Sequence, residues 1–244
     1  DQLKTQQEKL LLNERHEAWE SVARKLAHEI KNPLTPIQLT IDRLKTKYSE
    51  LSSSSEKDSF HTYLKTINKQ IKIIENLVNE FSDFARMPKP IFKKNDLINI
   101  INDNIKLLKE IDLSIDINFK FNDEKILFEC DSEQIGRAFF NLIKNSIESI
   151  QEKFTKNTDF TKKIDIEIIN KSDYIQITII DNGTGFSEKN LKSIFKPYFT
   201  TKLKGSGLGL PIVNKIINDH NGTIKFEQKK EGVKVIARLN KNAN

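Results

Sequence analysis

The sequence predicts two domains, a hairpin of long helices followed by a domain of mixed helices and strands. Two observations support this prediction. Apolar residues recur at steps of three and four through two long segments near the amino terminus, which is the period of an amphipathic helix. Beyond Pro90, segments that alternate polar and apolar residues are interspersed with helical ones, and all eight glycines lie in this second part.

The composition argues against some classes of protein. Among 244 residues, 40 basic side chains stand against 34 acidic ones, for a net charge of +6. This near balance argues against dedicated binding of a nucleic-acid duplex, and we expect no nucleic-acid partner. The basic excess fits a lysine-rich solvated surface, part of which could recruit an anionic ligand such as a nucleotide. The single cysteine, Cys130, cannot form an intramolecular disulfide, and we expect a buried strand thiol in a reducing compartment.

No stretch of the sequence reaches the ~20 apolar residues that span a bilayer, and no signal peptide opens the chain. Because the chain begins at Asp1 and not at methionine, we expect it to be a piece of a longer protein. The missing upstream part could include a membrane anchor.

The first domain is predicted to contain two helices. One runs from Leu3 to Tyr48, a polar Ser-rich loop covers Ser49–Ser59, and the second helix runs from about Phe60 to Arg86. Pro88 and Pro90 end it, because proline lacks the amide donor and restricts the residue before it.

The apolar stripes of these helices are too wide for a single hairpin to bury. Pairing of two hairpins in a homodimer would bury them in a four-helix bundle. The narrower stripe at the amino terminus predicts a coiled coil that leads into the bundle. We therefore predict a coiled-coil linker over 1–15, a dimerisation domain over 16–90 and a second domain over 91–244.

The second domain is predicted to form a mixed sheet, because its last strands are linked as hairpins. The expected elements, in order, are a helix at Asp96–Glu110, strands at Ser114–Phe121 and Ile126–Cys130, a helix from Ser132 to about Phe154, strands at Lys163–Asn170 and Tyr174–Asp181, a helix at Leu208–His220 and a closing hairpin over 223–239.

Two glycine-rich stretches of the second domain are candidates for ligand contact. DNGTGF (181–186) follows a predicted strand, and KGSGLGL (204–210) precedes a predicted helix. Glycines let the main chain approach a ligand, and a helix start offers free amides and a positive dipole end to a phosphate. A plain turn is the alternative for each. Neither stretch has the Walker pattern or the dinucleotide fingerprint.

A polar stripe on the helix that begins at Ser132 is the third candidate. Asn141, Asn145 and Glu148 share one helical face, with Lys144 close by, while much of the remaining surface is apolar. Amide oxygens suit Mg²⁺, which usually bridges phosphates. The alternative is a solvent-exposed amide face.

Taken in order, NLIKNSIESI, DNGTGF, IFKPYFTTK and GSGLGLPIV resemble the N, G1, F and G2 boxes of the histidine-kinase branch of the GHKL ATPase superfamily. The resemblance implies an α/β sandwich of the Bergerat type, with ATP and Mg²⁺ between the N-box helix and a mobile lid. It makes Asn145 the metal ligand, places Asn141 beside the phosphates and gives Asp181 the adenine amino group. The remaining implied nucleotide-binding residues are Lys144, Gly183, Gly185, Phe195, Phe199, Thr200, Thr201, Lys202, Gly205, Gly207, Leu208 and Gly209.

The first domain contains a matching motif. HEIKNPL, from His28 to Leu34, resembles the H box of the same family, and the surrounding segment is similar to the NtrY-like nitrogen-regulatory subgroup. The resemblance implies that His28 is phosphorylated. Glu29 beside it can accept a proton from the other ring nitrogen. Asn32, one turn further on, is implied to position a water that dephosphorylates a partner response regulator.

The function implied is ATP-dependent autophosphorylation on His28, then transfer to an aspartate of a response-regulator receiver domain. The longer protein would be anchored in the bacterial inner membrane with this chain on its cytoplasmic face. One alternative is an ATPase that uses the helices mechanically, but ATPase members have a water-activating glutamate where this chain has Asn141, a poor base. Another is a non-catalytic scaffold, which would be expected to lose His28, Asn145 or Asp181.

Overall fold

The computed structural model describes residues 30–32, 34–46, 54–85, 87–156, 158–191, 193–197, 199–202 and 206–241. The chain divides into two compact units, Asp1–Pro88 and Lys89–Asn244, which are treated separately below. The predicted coiled coil over 1–15 lies outside the described residues, as do His28, Glu29 and Gly205. The domain limits at 16 and 91 stay predictions.

The first unit is a helical hairpin. Helix α1 covers residues 30–32 and 34–46, and helix α2 is Ser54–Ala85. Ile41, Leu64 and Ile71 form the buried contact between them, and Leu34 and Phe60 pack against that cluster. Apolar residues at helical spacing therefore produce the predicted pairing.

The predicted start of the second helix was wrong. Helix α2 begins at Ser54, six residues before Phe60, so the predicted loop over 49–59 is too long. Polar composition suggested a loop, but the solvent-facing first turns of a helix are also polar, and acidic residues are favourable there. The end at Ala85 agrees with the proline signal.

The second unit has seven strands and four helices within its described residues. The strands are β1 Lys93–Asp96, β2 Asp116–Phe121, β3 Leu127–Cys130, β4 Lys163–Asn170, β5 Tyr174–Asp181, β6 Gly222–Gln228 and β7 Val233–Asn240. The helices are α3 Leu97–Lys109, α4 Ser132–Lys156, α5 Glu188–Leu191 and α6 Gly209–Asp219. Only β1 and α5 were not predicted, because elements of four mostly polar residues carry no usable periodicity.

Five strands form the main sheet in the order β2-β4-β5-β7-β6, and β1 pairs with β3 in a small separate sheet. Strands β2 and β4 are parallel and the other neighbours are antiparallel, so the predicted mixed sheet is confirmed. Every second residue of β4, β5 and β7 is buried, and helices α3, α4 and α6 pack against one another and against the sheet. The unit is therefore the predicted two-layer α/β sandwich.

Helix α4 is central to this core. Its most buried side chains are Ile135, Ala138, Phe139, Leu142, Ile143, Ile147 and Ile150. Its remaining side carries the polar stripe. Cys130, just before the helix, is buried in β3 as predicted, and burial raises the pKa of its thiol to about 11.

A polar junction fixes the start of α4. The Asp131 carboxylate accepts from the amides of Glu133 and Gln134 at 3.1 and 3.0 Å, which caps the helix, and from the amide of Ile91 at 2.9 Å. The Asp131 amide donates to Nε2 of His220 at 3.1 Å. His220 is 1% exposed, and its Nδ1 donates to the carbonyl of Ile216 at 2.8 Å. The junction joins the beginning of the unit to the ends of two core helices.

Candidate nucleotide-binding site

The polar stripe of α4 faces a lysine from a distant part of the chain. Lys202 Nζ donates to Asn145 Oδ1 at 3.0 Å and forms an ion pair with the Glu148 carboxylate. Lys144 Nζ lies 4.0 Å from the other carboxylate oxygen of Glu148. The predicted metal ligand Asn145 and the predicted nucleotide-binding residue Lys202 are thus in direct contact.

The amino end of α6 lies against the same stripe. A β-carbon placed on Gly209 would stand 3.9 Å from Asn141 Oδ1. Before it, Gly207 has φ +71° and Leu208 is 1% exposed, with its amide donating to Ser206 Oγ at 3.3 Å. Among the described residues no side-chain oxygen caps the helix. The positive end of an eleven-residue helix therefore lies beside the Asn141 side chain, an arrangement suited to phosphate.

Asp181, the last residue of β5, is 5% exposed. Its carboxylate accepts from Ser146 Oγ at 3.2 Å and from the Gly183 amide at 3.0 Å. Burial raises the pKa of this carboxyl above its ordinary value, because the charged form is poorly solvated there. A fixed, buried acceptor of this kind can recognise an exocyclic amine such as that of adenine.

Two glycines allow the backbone to close around Asp181. A β-carbon on Gly183 would lie 2.7 Å from the Ser149 carbonyl carbon, so a side chain there would push the G1 loop away from α4. Gly232 has φ +71°, and a β-carbon on it would lie 1.9 Å from the Asp181 carbonyl oxygen. Gly183 was predicted as a site residue and Gly232 was not.

Aromatic side chains cluster next to the loop that follows Asp181. Phe195 and Phe186 both make edge contacts with Phe226 of β6, at ring centroid distances of 5.6 and 6.2 Å. Gly185 has φ +74° and lies against the side chain of Gln228, whose Oε1 accepts from the Phe186 amide at 2.7 Å. These contacts tie the G1 loop and Phe195 to the edge strand.

The other F-box residues are more open. Phe199 is half-buried, and its amide donates to the carbonyl of Lys196 at 3.1 Å. Thr200 Oγ1 accepts from the Lys202 amide at 3.0 Å, and the Thr201 residue is exposed. This turn presents Lys202 towards α4.

The structure brings most of the predicted nucleotide residues into the clusters described above, within the second unit. In the first unit, Asn32 is exposed on α1. The site residues predicted from the sequence did not include Ser146, Glu148, Phe226 and Gly232. Glu148 shares the noted stripe of α4 and could have been included, whereas Ser146 and Gly232 contact Asp181 only through tertiary packing, for which the sequence carries no signal.

The donor set near Asn145 fits Mg²⁺ that is shared with phosphates. Within the described ranges no group of three His, Cys, Asp or Glu side chains could hold a metal alone. One amide oxygen and one carboxylate already bind a cationic ammonium here. Mg²⁺ commonly takes one or two protein oxygens and completes its shell with phosphates and water.

Among the described residues, no helix is long and apolar enough to cross a bilayer.

Comparison with known proteins agrees with this geometry. Residues 18–90 match the His Kinase A (phospho-acceptor) domain, and residues 130–243 match the histidine kinase-, DNA gyrase B- and HSP90-like ATPase domain. The putative NtrY-like sensor histidine kinase of Rickettsia felis is 38% identical over 230 residues, which cover 94% of this chain. This chain spans 37% of the length of that relative.

Two solved structures are similar. The catalytic domain of the histidine kinase ThkA is 30% identical with a TM-score of 0.54, over 62% of this chain and 96% of that one. ThkA in complex with the response regulator protein TrrA has 26% identity and a TM-score of 0.65, over 99% of this chain and 67% of that one. The chain therefore belongs to the histidine kinase family, with a phosphoacceptor helical domain followed by a GHKL-type ATPase domain. Among the curated proteins, the chain is similar to the putative NtrY-like sensor histidine kinases, of which it spans about a third.

Proposed function

We propose that the chain uses ATP to phosphorylate His28 and then passes the phosphoryl group to an aspartate of a response regulator. The observation that carries the proposal is the convergence of three features in one unit. The amino end of α6 lies against Asn141, and Asn145 on α4 accepts a hydrogen bond from the Lys202 ammonium. Asp181 provides a buried hydrogen-bond acceptor at the end of β5.

Different groups of residues would bind the adenine, the phosphates and the metal of the nucleotide. Asp181 would accept from the adenine amine, held in place by Ser146 and the Gly183 amide. The α6 amides and Lys202 would face the phosphates. Asn145, with Glu148 near it, would hold Mg²⁺, which supplies neutralisation of phosphate charge. Asn141 cannot act as a general base, so the site favours transfer to a protein acceptor over hydrolysis.

The acceptor step is assigned from sequence, since His28 and Glu29 lie outside the described residues. A neutral His28 nitrogen would attack the γ-phosphorus, forming an N–P bond as the bridging P–O bond to the β-phosphate breaks and ADP leaves. Glu29 would accept the proton of the other ring nitrogen. In the second step the N–P bond breaks as the phosphoryl group moves to a carboxylate of the regulator.

A homodimer through the helical hairpin is part of the proposal. Ile37 is 45% exposed on α1, and Tyr63, Ile67 and Ile74 are 67%, 45% and 42% exposed on α2. Apolar side chains at helical spacing on both helices are what a second hairpin would cover in a four-helix bundle.

A response regulator is the proposed partner because ThkA, a structural relative over nearly the whole chain, has been solved with one. We place this chain on the cytoplasmic face of the bacterial inner membrane, as part of a longer anchored protein. That placement follows from the sequence resemblance and is a proposal only.

The decisive experiment incubates the chain with γ-labelled ATP and Mg²⁺. We expect acid-labile, base-stable label on the wild type and none on His28→Ala, with nucleotide binding retained. Asp181→Asn should lose the label and bind ATP much more weakly. Free phosphate released at the same rate by wild type and His28→Ala would indicate the ATPase alternative instead.

Phosphatase activity towards the regulator is proposed from Asn32, which is exposed on α1 and follows His28 by four residues in the sequence. Asn32→Ala should leave autophosphorylation unchanged and slow regulator dephosphorylation at least about tenfold, a typical contribution of a group that positions a reacting water. The measurement follows phosphorylated regulator over time with each variant. Equal loss of both activities would contradict the assignment.

A further inference from the structure

The charge cluster on α4 contains a carboxylate that the family resemblance leaves without a role. Glu148 lies one helical turn from Asn145, and its side chain is 37% exposed. One carboxylate oxygen pairs with Lys202 and the other lies 4.0 Å from Lys144 Nζ. Two ammonium groups and one carboxylate leave the cluster with a net positive charge.

We infer that Lys202 is a resident counter-cation of the magnesium position, held by Asn145 and Glu148, and that Mg²⁺–nucleotide exchanges with it. On this inference Glu148 is a metal-site residue, and Lys202 moves from the carboxylate to the phosphates when the metal arrives. The inference rests on the proposed function, since it assumes that ATP binds with Mg²⁺ at Asn145.

Lys202 and a metal ion would compete for the same oxygens. The Lys202 ammonium donates to Asn145 Oδ1 at 3.0 Å and forms an ion pair with the Glu148 carboxylate. A divalent cation bound through Asn145 Oδ1 would need that oxygen and would repel an ammonium only a few ångströms away. Metal and ammonium therefore cannot both occupy this position.

The Lys202 side chain has room to leave the carboxylate while its backbone stays in place. Its backbone is fixed by the turn in which its amide donates to Thr200 Oγ1 at 3.0 Å. Its side chain is 34% exposed, so the four-carbon stem has room to turn. A compact ammonium suits such an exchange, because lysine binds as a point charge and not in a fixed planar geometry. Phosphates near the α6 amino end would give it a new anionic partner.

Without metal, Lys202 and Glu148 balance each other's charge. Lys202 masks Glu148, so the carboxylate does not repel an approaching phosphate. Removing either partner should therefore change metal-free binding in opposite directions. Loss of Glu148 frees Lys202 for phosphate, whereas loss of Lys202 leaves the carboxylate facing it.

The test measures ADP affinity of the full chain by calorimetry, once with Mg²⁺ and once with EDTA. The ratio of the two affinities is the magnesium gain. Glu148→Gln should strengthen metal-free ADP binding and reduce the magnesium gain by about tenfold, as expected for loss of one charge near phosphate. Lys202→Gln should weaken metal-free binding and increase the magnesium gain by roughly fivefold.

Matched controls are Glu167→Gln and Lys120→Gln, which make the same charge changes at exposed positions on β4 and β2. Both should keep the wild-type gain. Glu148→Asp retains the charge and should keep most of it, which separates charge from packing. Thermal melting of each variant without nucleotide provides a readout that does not depend on activity. The change in melting temperature of the double variant Glu148→Gln/Lys202→Gln should differ from the sum of the changes in the two single variants.

Opposite shifts of the magnesium gain in the two single variants would support the exchange. Shifts in the same direction, or shifts below twofold, would overturn it while leaving the proposed kinase function intact. Failure of the wild type to bind ADP with Mg²⁺ would overturn the proposed function and the exchange with it.

Discussion

The two units of the chain differ in how they treat their apolar residues. In the second unit, Phe139 and Ile143 of α4 have 0% exposure, enclosed between α3, α6 and the sheet. In the first unit, Ile67 keeps 45% of its surface exposed and Tyr63 keeps 67%. A single copy can therefore complete the nucleotide-binding unit, whereas the helical hairpin has apolar surface left for a second copy.

The largest expected effect comes from emptying the self-contained core. Phe139→Ala should lower the free energy of unfolding of the second unit by about 3–5 kcal/mol, because a buried aromatic ring leaves a cavity. This free energy can be measured by urea unfolding, with the loss of ADP binding as the signal for unfolding of the second unit. Phe121→Ala, at a side chain 47% exposed on β2, is the matched control and should cost much less. Equal losses would mean that α4 is not the centre of this core.

Breaking the hairpin surface should have a smaller effect of another kind. Ile67→Asp places a charge on the exposed apolar face of α2 and should weaken dimerisation by about 2 kcal/mol or more, roughly thirtyfold. Sedimentation at several protein concentrations would report it. Lys65→Asp, on an exposed and already polar position of α2, should leave the dimer largely intact. Unchanged dimerisation of Ile67→Asp would place the dimer interface elsewhere.

The second unit also contains a partly buried ion pair between Asp112 and Lys162. Hydrogen bonds from Ser114 and the contact with Lys162 Nζ at 3.0 Å hold the pKa of Asp112 well below its usual range. Asp112→Asn should therefore cost about 1–3 kcal/mol near neutral pH.

That cost has a defined pH dependence. Because the folded pKa of Asp112 is depressed, its stabilisation is complete above the unfolded value of about 4 and is lost as the pH falls towards the folded value. The difference in urea midpoint between wild type and variant should be constant from neutral pH down to about 5 and shrink below about 4. A difference that grows in acid would have the wrong sign.

The smallest expected effect concerns Asp181. Burial raises its pKa, so its carboxylate takes up a proton at a higher pH than an ordinary aspartate. ADP affinity should fall on mild acidification as the acceptor for the adenine amine is lost, while dimerisation of the hairpin should not follow the same curve. Calorimetry across the acid range checks this, with Asp181→Asn as a variant whose residual affinity should lack this pH step.

The sequence was most informative where one physical signal dominated. Strands β4 and β5 were predicted with their observed bounds because isoleucines alternate with polar residues. The order of the glycine and asparagine motifs predicted the candidate site. Composition misled the prediction where polar residues begin a helix, at Ser54. Ser146 and Gly232 could not be predicted as site residues, since each matters only because another element lies within a few ångströms.

The junction at Asp131 has a practical consequence for cutting the chain. The Ile91 amide is one of three that the carboxylate accepts, and it belongs to the segment that precedes β1. A fragment starting after Ile91 would lose the hydrogen bond from the Ile91 amide, and the start of α4 would fray more easily. Every strand and helix of the second unit would still be present. A cut before Lys89 keeps Ile91 and its hydrogen bond to Asp131. The useful boundary of the second unit therefore lies a few residues ahead of β1, its first element of secondary structure.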